Sequence, residues 1–359
     1  MTTDGTGRSG RSGRSQSPVL IIGTERSGSN LLRLVLNAHS RIAVPHPPHF
    51  MRYLAPVADC YGDLTDEGNR RRLVDDACLL LDRHISPWPH RVDPDLAVAR
   101  ASPTLFGVVA ELYEQYREAE GKARWGCKST FMVDHVTDVL AEYPAARFVW
   151  LVRDPRDVAA SARRAVFGHC HPYLTGRLWA RQQTSAAAAL ARHGPDTVHL
   201  LRYEDLVQQP RDMITQLCAW LGESPEPALF AHDRTPTAKA LASLSESWRN
   251  AGQPVTTSSV GTWRRRLPPT EVGLVEAAAG PVMAELGYPV DAGPAVPPHP
   301  ALLRLREGVL RAGVEYRSLR QDRNAVRRWR RDATVRWIHT RARLTRLGAR
   351  RGPLLTPTE

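Results

Sequence analysis

Two short segments of this chain gather residue types suited to holding an anion. The first is Pro18 to Arg33, PVLIIGTERSGSNLLR. Val19 to Ile22 is an apolar run, Gly23 breaks it, Thr24 to Asn30 form a polar turn, and an apolar helical pattern opens at Leu31. That order predicts a strand, a tight loop and a helix start. The backbone N–H groups of such a loop point inward, and the helix N-terminus adds positive potential. Arg26 at the crown adds a full cation. Gly23 and Gly28 have the spacing of a nucleotide loop, G-x-x-x-x-G-K-[ST], but Ser29 and Asn30 replace the Lys and the magnesium-holding hydroxyl. The loop therefore suits a phosphate or sulfate group without the metal apparatus of an ATPase. A Gly- and Ser-rich turn is also common as a plain connection, so a second segment has to weigh in.

That segment is Arg147 to Arg164, RFVWLVRDPRDVAASARR. Phe148 to Val152 is continuously apolar, as in a strand buried on both faces of a parallel sheet. Pro155 suits the first turn of a helix, and Asp154 or Asp157 suits its N-terminal end. Arg153 then sits at the carboxyl end of a strand, where open α/β sheets bind ligands. Ser161 follows two turns on, on the face that reaches toward the same anion. The R-D-P-R-D spacing alone would also make a surface Arg–Asp network. Two anion-suited strand ends in one chain argue against that.

The elements that position these residues divide the chain as follows. Residues 1–17 repeat Arg-Ser-Gly units and read as a disordered tail. The main domain spans 18–290. Within it, 61–121 reads as a helical insertion, clearest over Leu105 to Glu120. Val198 to Arg202 is a further short strand, and Leu206 to Leu221 has helical spacing. The expected fold is α/β, a central parallel sheet flanked by helices. A Pro-rich linker, 291–300, leads to an Arg-rich extension, 301–359.

The pairing of the two anion segments resembles the sulfotransferases that use 3′-phosphoadenosine-5′-phosphosulfate (PAPS). Three more pieces agree in order. Trp125-Gly126-Cys127-Lys128-Ser129-Thr130 is similar to the family's W-G-D-K-T-P, and Arg202-Tyr203-Glu204-Asp205-Leu206 matches its R-Y-E-D-L. Ser258 to Leu267, SSVGTWRRRL, resembles its late S-x-x-G-x-W-x-x-x-L segment. The resemblance implies a P-loop-like sulfotransferase fold and transfer of a sulfuryl group from PAPS to an acceptor hydroxyl, or an amine, with no metal. It places the 5′-phosphosulfate against Thr24, Glu25, Arg26, Ser27, Gly28, Ser29 and Asn30. It places the 3′-phosphate against Arg153 and Ser161, Tyr203 near the adenine, and Ser259 with Arg265 or Arg266 beside the nucleotide. Arg26 and Lys128 would neutralise charge on the transferring group. The acceptor would be a small molecule, glycan or lipid, with residues 61–121 capping its cleft.

The chain also departs from the family. Where bacterial-type members carry a Glu in a context like I-P-P-E-S-H-F, this chain reads Ile42-Ala43-Val44-Pro45-His46-Pro47-Pro48-His49-Phe50. A neutral imidazole suits proton removal near pH 7, so His46 and His49 become the candidate bases, with Glu25 behind them. The missing Glu keeps open a catalytically idle nucleotide-binding protein. A P-loop nucleotide kinase would need the absent Lys-[Ser/Thr] pair.

Composition adds bounds. Lys occurs only at 122, 128 and 239, yet one of the three falls inside a motif. The five cysteines lack a C-x-x-C, and no run is long enough for a signal or membrane span, which points to a cytoplasmic protein. Residues 301–359 hold sixteen Arg, no Lys and five acids, so they carry +11 of the chain's +12. Their apolar residues recur at helical spacing. Such basic amphipathic helices lie on an anionic membrane surface at the inner face, fold back on the domain, or mediate an oligomer; nucleic acid is not expected.

Overall fold

A computed structural model of the chain describes residues 17–291 and 295–350. The tail expected over 1–17 therefore lies outside the described residues except for Ser17, as do 292–294 of the linker and 351–359 of the extension.

Five parallel strands form the sheet: β1 (Val19–Gly23), β2 (Ile42–Ala43), β3 (Arg124–Lys128), β4 (Arg147–Val152) and β5 (Val198–Arg202), in the order β2-β3-β1-β4-β5. β1 is central. Its register sets Leu20 against Cys127 on one side and Phe148 on the other. Every residue of β1 is buried, as its unbroken apolar run requires. Because later strands add on both sides of β1, the strand order reverses beside it, and that is where such sheets open a crevice at the carboxyl ends. β3 was not evident beforehand as a strand, since Arg-Trp-Gly-Cys-Lys interrupts the apolar pattern.

The helices that matter for the site are α1 (Ser29–Asn37), α2 (Glu67–Asp82), α3 (Leu105–Ala119), α4 (Pro155–Ala162), α5 (Pro172–His193), α6 (Pro269–Glu285), α7 (Pro300–Gln321) and α8 (Ala325–Arg350). α3 starts where Thr104 accepts a hydrogen bond from the Gly107 amide at 2.8 Å. α4 starts at Pro155, with the Asp154 carboxylate taking the Arg156 amide at 2.8 Å. The helix expected over Leu206 to Leu221 is in fact two, Tyr203–Gln208 and Pro210–Leu221. Pro210 cannot donate within a helix and so opens the second.

The main core joins Leu20, Ile22, Phe148 and Trp150 of the sheet to residues of α2 and α3. Residues 61–121 thus build the core rather than mainly capping a cleft. The C-terminal extension also packs here. Ile338 and Ala342 of α8 belong to the same core cluster. His339 Nε2 bonds the Tyr53 carbonyl at 2.6 Å, and Arg341 pairs with the buried Asp76. Glu307 of α7 accepts from the Cys170 and His171 amides at 3.0 and 2.8 Å, and Val314 packs on Val166 and Cys170. The described part of the extension folds back on the domain, and position 300 does not bound the core.

Two outcomes follow. Ile338→Ala should lower unfolding free energy by about 2–5 kcal/mol, the usual cost of emptying a buried Ile site, measured by denaturant titration. Removing 301–359 should lower the thermal midpoint, and an unchanged midpoint would show that the helices dock without contributing stability.

Candidate active site

A cleft of about 590 Å³ opens at the carboxyl ends of β1, β3 and β4. The loop after β1 forms its floor. Gly23 has φ +135°, and a Cβ there would fall 2.2 Å from the Leu151 carbonyl oxygen on β4. Only glycine permits that strand exit. Gly28, at φ +92°, lies under the Tyr203 ring, and a Cβ would come within 2.3 Å of it. Arg26 (φ 73°) and His49 (φ 57°) are the two non-glycine residues at positive φ among those described. Holding a side chain in the left-handed region costs about 1–2 kcal/mol. Both strained residues are ones whose chemistry singled them out in the sequence.

Arg153 ties the motifs together. Its Nη1 donates to the Arg26 carbonyl at 3.0 Å and its Nη2 to the Ser259 carbonyl at 2.5 Å. Its guanidinium lies over the Tyr203 ring, 4.4 Å from the centroid. Its Nε is buried without a hydrogen-bond partner. Arg26 Nε donates to Ser161 Oγ at 3.0 Å, which joins the first loop to α4. Asp157 does not cap α4. Its carboxylate takes the Gly261 amide at 2.7 Å, and the Thr262 hydroxyl and Trp263 amide at 2.9 Å each. The late motif is thereby clamped to the Arg153 helix. Glu204 accepts from the Asp154 amide at 3.0 Å and from the Tyr288 hydroxyl at 2.9 Å, a structural role.

Cations dominate the cleft. Lys128, at the end of β3, is 8 % exposed, and its ammonium makes no hydrogen bond or ion pair among the described residues. Burial, with Arg33 and Arg26 nearby, pulls its ammonium down to about 8, against the pull of Glu25. Burial and the neighbouring Arg153 bring Arg26 down to about 10. Arg33, fully buried in α1, donates to the Val44 carbonyl and is also brought to about 10 by burial. Glu25 is the carboxylate facing this group, and it sits 3.9 Å from Arg52. Buried like charges with so little compensation are costly unless an anion joins them.

The two histidines differ. His46 is buried, with Nδ1 2.8 Å from His84 Nε2 and its carbonyl accepting from Trp88. His49 is half-buried, with Nδ1 3.0 Å from Ser129 Oγ. Burial and nearby cations hold both imidazoles well below their ordinary range, so both are neutral near pH 7.

Of the residues singled out from sequence, Glu25, Arg26, Gly28, Ser29, Asn30, His46, His49, Lys128, Arg153, Ser161, Tyr203, Ser259 and Arg266 line this one cleft. Thr24, Ser27 and Arg265 do not. Thr24 is held beneath the loop by Gln183 Nε2 at 2.8 Å, itself fixed by Trp150. The cap expected from 61–121 contributes Ile85, whereas Trp248, Arg249, Arg317 and Arg331 close the other side. No local pattern marks those four: Trp248 and Arg249 precede the late motif by about ten residues, and Arg317 and Arg331 lie well beyond it. Among the described residues, no group of His, Cys, Asp and Glu is arranged to hold a metal ion, and no helix is long and apolar enough to cross a membrane.

Comparison with known proteins shows the family and the fold. Residues 18–227 match the model of the Sulfotransferase family. The nodulation protein NoeE of Sinorhizobium fredii is 27% identical over 292 residues, covering 75% of this chain. A protein of Aquifex aeolicus is 21% identical over 265 residues, covering 71%. The chain spans 65% of the first relative's length and 31% of the second's. Among solved structures, the sulfotransferase domain of the curacin biosynthetic pathway superposes with a TM-score of 0.50 at 20% identity, covering 77% of this chain and all of that one. The corresponding domain of the Synechococcus PCC 7002 olefin synthase gives 0.51 at 19%, over 77% and 97%. At these identities the two domains speak for the fold alone, P-loop-like with a central parallel sheet. With more than half its length matched by the family model, the chain belongs to the sulfotransferase family.

Proposed function

We propose that the protein is a PAPS-dependent sulfotransferase acting on an acceptor hydroxyl. The observation that carries this reading is the set of cations lining the cleft at the strand ends, Arg26, Lys128 and Arg153, with Glu25 as the facing acid. The donor set fits PAPS. Arg153 Nε is buried and without a partner, and the resemblance gives Arg153 and Ser161 the 3′-phosphate. Arg26, Ser29 and Asn30 would hold the 5′-phosphosulfate, Arg153 and Ser161 the 3′-phosphate, Tyr203 the adenine side, and Ser259 with Arg266 the rim.

PAPS, when bound, supplies a sulfuryl group activated by its anhydride link to phosphate. The acceptor oxygen bonds to sulfur as that link breaks, and the 5′-phosphate leaves with the electron pair. Lys128 and Arg26 offset the charge that moves toward the leaving oxygen. His49 takes the acceptor proton. In the tautomer whose Nδ1–H donates to Ser129 Oγ, its Nε2 lone pair is available as the base. His46 is spent on His84 and fits a supporting role. The outer faces of α7 and α8 leave Leu305, Val309, Tyr316, Trp329, Trp337 and Leu344 exposed among Arg residues. This pattern supports a peripheral place for the enzyme on an anionic membrane.

The reading is tested in three ways. The product nucleotide 3′-phosphoadenosine 5′-phosphate should raise the thermal midpoint far more than AMP. Arg153→Ala should erase that preference, a loss of roughly 1.5–3 kcal/mol; equal shifts from both nucleotides in the wild type would reject the donor. Because Lys128 titrates near 8 and an anion favours its charged form, nucleotide binding at pH 8.5 should take up protons, and at pH 6.5 it should not. Calorimetry in buffers of different ionisation enthalpy reads this uptake, and Lys128→Gln should remove it. With labelled PAPS and an accepted hydroxyl, Lys128→Ala should lower kcat by about two orders of magnitude. His49→Ala should cut the rate far more than His46→Ala, and equal rates would move the base to Glu25.

A further inference from the structure

The acceptor side of the cleft is walled by a part of the chain that lies beyond the matched family segment. Arg317 on α7 and Arg331 on α8 face the same space as His49 and Lys128. Arg331 is 6 % exposed. Its one ion pair is with the adjacent Asp332, at 2.7 Å, whose side chain is 42% exposed. Arg317 makes no ion pair among the described residues. The acid nearest Arg317 along the chain is committed: Asp322 accepts from Ser318 and lies 4.0 Å from the buried Arg328.

The cleft thus holds one group of cations, Arg26 and Arg153, at the loop after β1 and the end of β4, and a second, Arg317 and Arg331, on the C-terminal helices. A donor anchored by the first loop and Arg153 answers the first group and leaves the second unanswered. A guanidinium taken out of water without a fully buried acid is costly, and its planar donors match an oxyanion.

We propose that Arg317 and Arg331 form an oxyanion-binding subsite for the acceptor, so that the hydroxyl to be sulfated belongs to a molecule that already carries a phosphate, sulfate or carboxylate group. The proposal rests on the donor reading for the reaction, but the binding of the anion does not depend on it. The C-terminal helices then set acceptor choice, while the motifs of the first 267 residues set donor choice.

The test uses the full chain saturated with 3′-phosphoadenosine 5′-phosphate, which fills the donor anion sites. Inorganic phosphate is titrated in and thermal stabilisation is recorded against chloride at equal ionic strength. The wild type should show a saturable gain that chloride does not give. Arg317→Ala and Arg331→Ala should each weaken phosphate by about tenfold or more, the scale of one charge-assisted contact, with nucleotide affinity unchanged. Parallel titrations with sulfate and acetate separate a tetrahedral oxyanion from a carboxylate. No gain beyond chloride in the wild type, or equal gains in wild type and variants, overturns the subsite. Should Arg331→Ala fail to fold, the exposed Arg317 decides the question alone. If the nucleotide does not bind, the donor reading falls, and the same comparison of phosphate between wild type and Arg317→Ala still decides the subsite.

Discussion

One guanidinium holds the site in one piece. Arg153 reaches the carbonyl of Arg26 in the first loop, the carbonyl of Ser259 in the late segment, and the ring of Tyr203. These partners lie 127, 106 and 50 residues away along the chain. A planar cation with five donors can make such a junction, and an ammonium cannot. Gly28 permits the junction, because any Cβ there would displace the Tyr203 ring that Arg153 covers. Asp157, one turn further on, fixes the late segment from its other side with three hydrogen bonds. The orientation of Arg153 is thus set by two backbone carbonyls and a ring, and that of the late segment by a carboxylate.

This preorganisation is held against its own electrostatic strain. Arg26, Arg33, Lys128 and Arg153 repel one another, and burial lowers the affinity of the first three for their protons. Arg26 and His49 add backbone strain at positive φ. The compensation comes from elsewhere in the fold, from the apolar sheet and from Arg156, which is buried against Asp154 and Glu276 and over Trp263. Strain and like charge collected in one place are what a fold retains where binding relieves them.

Much of this was readable in the sequence. The apolar runs of β1 and β4 are continuous, and each ends at a residue that needs explanation, Gly23 or Arg153. Five short motifs in a known order then converge on one cleft. What was not readable has a physical reason. β2 is two residues long, and β3 mixes Arg, Gly and Lys into its pattern. The role of Asp157 depends on a partner 104 residues away. In the extension, sixteen Arg dominate the composition, so the few inward positions that fasten it, Val314, Ile338 and Ala342, leave little trace in its periodicity.

That fastening changes how the extension has to be understood. A basic helix free in solvent needs no anchors on the domain, yet Glu307 of α7 accepts from the Cys170 and His171 amides, Arg341 of α8 pairs with Asp76, and His339 of α8 bonds the Tyr53 carbonyl. These contacts orient the two helices about their axes. With Ile338 turned to the core and Glu307 against the amides of Cys170 and His171, Arg317 and Arg331 are left facing the cleft, while Trp329 and Trp337 are left facing solvent. One pair of helices thereby presents a basic wall to the cleft and an apolar, Arg-rimmed surface outward. The same docking contacts fix both faces, so a change on the outer surface that shifts the helices would also move the wall of the cleft.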